Sequence, residues 1–159
     1  MSTLCLDPSL SACGWAIVEN NDILAGGCIV TKKIVGEKIS DSDTQRLSFI
    51  ALSLKEIIAK YSPEKIIFEH PIGSKSSRAN QSLSYVKGLV VSACVFSSIK
   101  FVTVRAKEVK KKVVGDSNAT KDEVLEIMRE KFKSFDKIVK DLAKFKMYAV
   151  ADAVATYLG

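Results

Sequence analysis

The chain has 159 residues, of which 47% are hydrophobic and 26% charged, a composition that can bury a core without disulfides or structural metals. No stretch approaches the roughly 18 uninterrupted apolar residues of a membrane span, and no cleavable signal pattern opens the sequence, so a single cytoplasmic domain over 1–159 with no membrane partner is expected. The net charge of +6 makes a polyanion the natural partner class.

The four cysteines, Cys5, Cys13, Cys28 and Cys94, lie in apolar segments without metal-like spacing and are expected as buried, reduced thiols. No zinc site is implied. Thr3-Leu4-Cys5-Leu6-Asp7 reads as a first strand that ends in a carboxylate before the small-residue turn Pro8 to Cys13. Gly14 to Glu19 reads as a second strand, Asn20-Asn21-Asp22 as a hairpin turn and Ile23 to Lys32 as a third strand, forming an antiparallel meander.

Ile34 to Asp43 is polar and reads as a loop. Leu47, Ile50, Ala51, Leu54, Ile57, Ile58 and Tyr61 then follow helical spacing, with Ser42-x-x-Gln45 in the form of a capping box and Pro63 as a stop. Lys65 to Glu69 is a short apolar strand that again ends in an acid. His70 to Arg78 is a loop rich in glycine, serine and basic groups, and Asn80 to Ser97 a second helix whose Gly88 marks close approach by a neighbouring helix or a second subunit.

Phe101 to Val104 is a fifth strand, and the remainder is helical. A basic stretch, Lys107, Lys110, Lys111 and Lys112, precedes a break at Gly115 to Asn118. Thr120-x-x-Glu123 caps the next helix, with Val124, Leu125, Met128 and Phe132 on its core side. The last helix, Tyr148 to Leu158, is apolar apart from Asp152. This order predicts an α/β fold: a five-stranded mixed sheet, three antiparallel strands and then two parallel ones, with helices on both faces.

If the first and fourth strands are parallel neighbours, Asp7 and Glu69 adjoin at one edge of the sheet, and Asp152 can converge on them. Carboxylates so close repel unless protonated or bridged by a cation, and hard oxygen donors without His or Cys select Mg²⁺ or Mn²⁺. Two such ions, roughly 4 Å apart, suit phosphodiester hydrolysis. His70 follows Glu69 in a strand, starts toward the opposite face, and reads as structural or phosphate-facing rather than as a base.

Taken together these stretches resemble the RuvC-type Holliday junction resolvases of the ribonuclease H-like superfamily. The matching segments are Leu6-Asp7-Pro8-Ser9 through Gly14, Gln45-Arg46-Leu47 through Pro63 to Glu69, Lys87-Gly88, Val113-Val114-Gly115 through Lys121, and Ala151 to Ala155, in family order and over nearly the whole length. The resemblance implies a Mg²⁺-dependent endonuclease (Mn²⁺ substituting) that nicks four-way junctions in pairs. It implies two ions per site held by Asp7, Glu69 and Asp152, and a homodimer through the helix Asn80 to Ser97.

It also implies phosphate contacts from Lys110 and Lys121, and a DNA-facing role is expected of Lys107, Lys111, Lys112, Lys75 and Arg78. Two positions depart from the family pattern. Ile72 stands where the family carries a junction-probing aromatic. Ala149 stands where the family has a fourth ligand, an acid or histidine one helical turn before Asp152, which leaves three ligands plus water or marks a substitution that disables cutting; Asp141 is too far along the chain to replace it simply. The alternatives are a nuclease acting on forks and flaps, a junction-binding module without cleavage, and an actin-like ATP-binding protein, for which Gly26-Gly27 is too little phosphate loop.

Overall fold

A computed structural model of the chain describes residues 1–70 and 76–159. The strands are β1 (Thr3–Asp7), β2 (Ala12–Glu19), β3 (Asp22–Val30), β4 (Lys65–His70) and β5 (Lys100–Arg105). The helices are α1 (Ile39–Tyr61), α2 (Ser77–Phe96), α3 (Ala106–Val113), α4 (Lys121–Lys131), α5 (Phe135–Val139) and α6 (Lys144–Leu158). The sheet order is β3-β2-β1-β4-β5, with β1, β2 and β3 antiparallel and β1, β4 and β5 parallel, as the sequence predicts.

Alternation along the strands sorts side chains into two cores. Leu4, Leu6, Ile66 and Phe68 face α1 and α2, where Ile50, Leu54, Val86 and Val90 pack on them. Cys5, Ala16 and Val18 face α3 to α6, where Val124, Met128, Phe135, Val150 and Val154 close the second core. The β2–β3 hairpin turns through Asn20 and Asn21, both at positive φ (52° and 61°), the two-residue geometry that suits the sheet's twist.

Three helix starts differ from the sequence reading. Helix α1 begins at Ile39, inside the expected loop, and Lys38 ends its N-terminus without a side-chain cap. Ser42 is not a cap: its hydroxyl accepts the Ile34 N–H at 3.0 Å, and Asp43 is buried under Arg46 (3.4 Å) and Arg78 (2.7 Å). The expected loop thus holds over residues 34–38, while its end is helical and buries Ser42 and Asp43. Helix α2 begins at Ser77 behind the Ser76 cap, whose hydroxyl accepts from Ala79 N–H. Helix α6 begins at Lys144, a turn earlier than expected, because Lys144 and Lys146 hide its polar first turn.

Gly88 has no atom among the described residues within 4 Å of where a Cβ would stand, so no helix of this chain makes the close approach expected there. The Thr120–Glu123 capping box forms as predicted. Among the described residues no helix is long and apolar enough to cross a membrane.

Candidate active site

Parallel pairing of β1 with β4 brings two acids side by side. The ladder runs to Leu6 opposite Phe68, and one step further Asp7 and Glu69 leave the sheet on the face covered by α6, the face of Cys5 and Ile67. His70 lies on the opposite face, as its position after Glu69 predicts. On its other side Asp7 pairs with Gly14, and Gly14 pairs with Cys28, so one rung crosses three strands beneath α6.

Gly14 is where that helix comes down. A Cβ built on it would stand 1.9 Å from the Ala149 carbonyl oxygen, so only glycine lets the α6 backbone rest on the sheet here. One turn later α6 presents Asp152, whose side chain is 18% exposed and sits 3.6 Å from the Lys121 ammonium.

The electrostatics are those of acids crowded on dry ground. Burial, then the neighbouring Glu69 and Asp152 charges, push Asp7 up to about 8, with Lys121 opposing. Burial and the Asp152 charge push Glu69 up to about 7 against Lys110 and Lys121. Asp152 is raised by burial and relieved by Lys121 and Lys110. Three desolvated carboxylates that repel one another, relieved in part by Lys110 and Lys121, form a donor set suited to hard divalent cations. The set is not closed: among the described residues no group of three or more His, Cys, Asp or Glu side chains is assembled around one point, and Lys121 occupies Asp152 instead.

The expected DNA-facing residues divide. Lys110 is half-buried and donates to the Ala119 carbonyl at 2.7 Å, which ties the end of α3 to the loop before α4. That loop turns at Gly115, whose φ of +95° favours glycine. Lys107 and Lys111, four residues apart, share an exposed face of α3. Lys112 donates to the Gly159 carbonyl at 3.0 Å and is drawn to the chain end. Arg78 pairs with the buried Asp43 rather than standing free. Lys75 and Ile72 lie outside the described residues.

The sequence reading missed Tyr148. Its hydroxyl donates to Asp122 at 2.7 Å, and its ring lies 5.8 Å from Lys121 and 5.4 Å from Lys144. The four-residue offset from Asp152 was the available signal, since it puts both side chains on one face of α6.

The family model described as "Crossover junction endodeoxyribonuclease RuvC" matches residues 3–157. The chain belongs to the RuvC family. Among curated members, the RuvC of Wolbachia pipientis wMel is 33% identical over 155 residues, covering 94% of this chain and 87% of that protein. That of Brachyspira hyodysenteriae is 30% identical over 128 residues, covering 80% and 79%.

Among solved structures, Thermus thermophilus RuvC in complex with a Holliday junction substrate superposes with a TM-score of 0.77 at 20% identity, over 99% of this chain and 91% of that one. The yeast mitochondrial Holliday junction resolvase Ydc2 gives 0.67 at 11% identity, over 97% and 75%. At these identities the likeness is one of fold, the ribonuclease H-like sheet and helices predicted. Membership of the RuvC family displaces the actin-like ATP-binding alternative. Ala149, the position at which the resemblance implies a fourth ligand, is a buried methyl.

Proposed function

We propose that this protein is a crossover junction endonuclease that cuts four-way DNA junctions by paired, symmetric hydrolysis of phosphodiester bonds in the cytoplasm. What supports the reading is that Asp7 and Glu69 end the neighbouring strands β1 and β4 and, with Asp152 of α6, raise one another's pKa beside Lys110 and Lys121 in a RuvC-family chain. Asp7, Glu69 and Asp152 are the residues that would hold two Mg²⁺ ions, with Mn²⁺ as a substitute, and the bound ions would activate water and stabilise the leaving oxygen.

The chain's own residues do the rest. The β1–β4 ladder ends at Leu6 opposite Phe68, so Asp7 and Glu69 stand at the ends of neighbouring strands, placed by the backbone of the sheet. Gly14 seats α6 and thereby sets the height of Asp152 over the sheet. Lys121, free at its outer side, grips a phosphate of the scissile strand, and Lys107 and Lys111 extend that positive face along α3.

Symmetric cutting needs two sites on one junction, and α2 supports a homodimer. Tyr85, Val95 and Phe96 are 46%, 62% and 89% exposed along it, and Leu89 and Ala93 line a groove of about 520 Å³ against Ile58 of α1. Ala149 favours a second reading, a junction-binding protein that does not cut.

The deciding experiment incubates a synthetic four-way junction with Mg²⁺ or Mn²⁺ and the unaltered protein, Ala149→Asp, and Ala149→Asp carrying Asp7→Asn. Paired nicks at opposed strands that vanish with Asp7→Asn establish the resolvase. Binding by all three with no cutting by any establishes the binding module.

A further inference from the structure

Lys121 is the first residue of α4, and its place is over-determined. Thr120 and Glu123 close a capping box around the helix start, the Thr120 N–H donating to Glu123 at 2.7 Å. The next residue, Asp122, accepts the Tyr148 hydroxyl at 2.7 Å and pairs with Lys144 at 3.1 Å. The same Tyr148 lies one turn before Asp152 on α6, with its ring 5.8 Å from the Lys121 ammonium. Lys121 is thereby held between an aromatic face and a carboxylate that stands 3.6 Å away.

Among the described residues no lysine stands within ion-pair distance of Asp7 or Glu69, whereas Lys121 stands at that distance from Asp152. That cation sits where a divalent ion would otherwise take a carboxylate oxygen, and alanine at 149 supplies no second acid to satisfy both.

We propose that Tyr148 is a positioning residue: through Asp122 and its ring it holds Lys121 on Asp152 as a built-in counter-ion, which a divalent metal displaces toward the DNA phosphate. The inference rests on the reading of Asp7, Glu69 and Asp152 as the metal site. It goes beyond that reading by assigning to this chain a lysine that competes with the metal and an aromatic that sets the competition. Fixing the ammonium at the site before DNA arrives also places a phosphate-binding group within a side chain's swing of the bond to be cut.

Mn²⁺ binding without DNA, followed by the electron paramagnetic resonance signal of the free ion, separates the possibilities. The proteins compared are the unaltered chain, Tyr148→Leu, Tyr148→Phe, Lys121→Met, the double variant Tyr148→Leu with Lys121→Met, and Asp7→Asn. Loss of Lys121 is expected to tighten Mn²⁺ binding by about two- to fivefold, the scale of an exposed ion pair, while slowing junction cleavage at saturating metal.

Tyr148→Leu should move the Mn²⁺ affinity in the same direction, Tyr148→Phe by less because it keeps the ring, and Tyr148→Leu should add nothing once Lys121 is methionine. An unchanged Mn²⁺ affinity in Tyr148→Leu, or an equal shift with and without Lys121, overturns the positioning role while leaving the metal site intact. Should Tyr148→Leu fail to fold, an affinity in Tyr148→Phe identical to the unaltered chain does the same. If Asp7→Asn binds Mn²⁺ as well as the unaltered protein, the metal site itself is wrong and the inference goes with it.

Discussion

Gly14 and Ala149 touch through their backbones: a Cβ on Gly14 would lie 1.9 Å from the Ala149 carbonyl oxygen and 2.4 Å from its carbonyl carbon. Neither atom can yield without moving α6, which packs over β1 and β2 and carries Asp152. Gly14→Ala is therefore expected to destabilise the protein by about 3 kcal/mol, the upper range for an overpacked core. It should also lift Asp152 away from Asp7 and Glu69. Urea unfolding followed by circular dichroism gives the first effect, and junction cleavage, lost even in protein that remains folded, gives the second. A Gly14→Ala protein with unchanged stability would mean that α6 does not rest on β2 as described.

Ala149→Asp places a carboxylate one turn before Asp152, on the same face of α6 and over the Asp7–Gly14 rung. Affinity for hard cations rises with the charge and number of oxygen ligands, so Mg²⁺ should bind on the order of tenfold more tightly and cleavage should increase. Without metal the new acid joins three that already repel, and Ala149 is only 5% exposed. The melting temperature of Ala149→Asp should therefore fall below that of the unaltered protein in chelator and recover in Mg²⁺. Calorimetry in both conditions checks the pair of effects; a variant equally stable with and without metal would place position 149 outside the site.

The acids also set a pH dependence. Asp7 and Glu69 are held up to about 8 and about 7, above their ordinary values of 3.8 and 4.5, so the folded protein binds more protons than the unfolded chain between those limits. Stability of the metal-free protein accordingly falls as pH rises through that window, the reverse of a salt-bridged carboxylate. Metal binding must release those protons, so stabilisation by Mg²⁺ should grow over the same window and cleavage should rise with it. Thermal unfolding from about pH 5 to about pH 8, with chelator and with Mg²⁺, measures both slopes. A flat metal-free profile would show that burial and the neighbouring charges do not hold Asp7 and Glu69 above their ordinary range.

The sheet was legible because its signals are local. The short apolar runs in Thr3–Asp7 and Lys65–Glu69, each closed by an acid, the paired asparagines at 20 and 21, and the Thr120 capping box each specify their own element. The acids at strand ends then followed from parallel pairing. The start of α1 was not legible, because Ser42 and Asp43 look like loop residues in sequence; Ser42 is buried where it accepts the Ile34 N–H, and Asp43 where Arg46 and Arg78 reach it from one turn and one helix away. The Tyr148–Asp122 pair was hidden for the same reason: Asp122 lies 26 positions earlier, and only the packing of α4 on α6 joins them. Long-range polar pairs carry no periodicity for a sequence to display.

Arg78 and the α3 lysines should separate in their response to salt. A side chain that neutralises a DNA phosphate contributes about one unit to the slope of log affinity against log salt. Lys107 and Lys111 are exposed on one face of α3 and should each lower that slope by about one when changed to alanine, with little effect on folding. Arg78 is engaged by Asp43, whose side chain is 9% exposed, at 2.7 Å. Arg78→Ala should leave the slope unchanged and instead destabilise the protein by about 1 to 3 kcal/mol, because it removes a charged partner from a buried carboxylate that, among the described residues, keeps Arg46 at 3.4 Å. Fluorescence anisotropy of a labelled four-way junction between about 50 and 200 mM salt, together with urea unfolding, distinguishes the two classes. A slope lowered by Arg78→Ala at unchanged stability would move Arg78 from the α1–α2 node to the DNA-binding face.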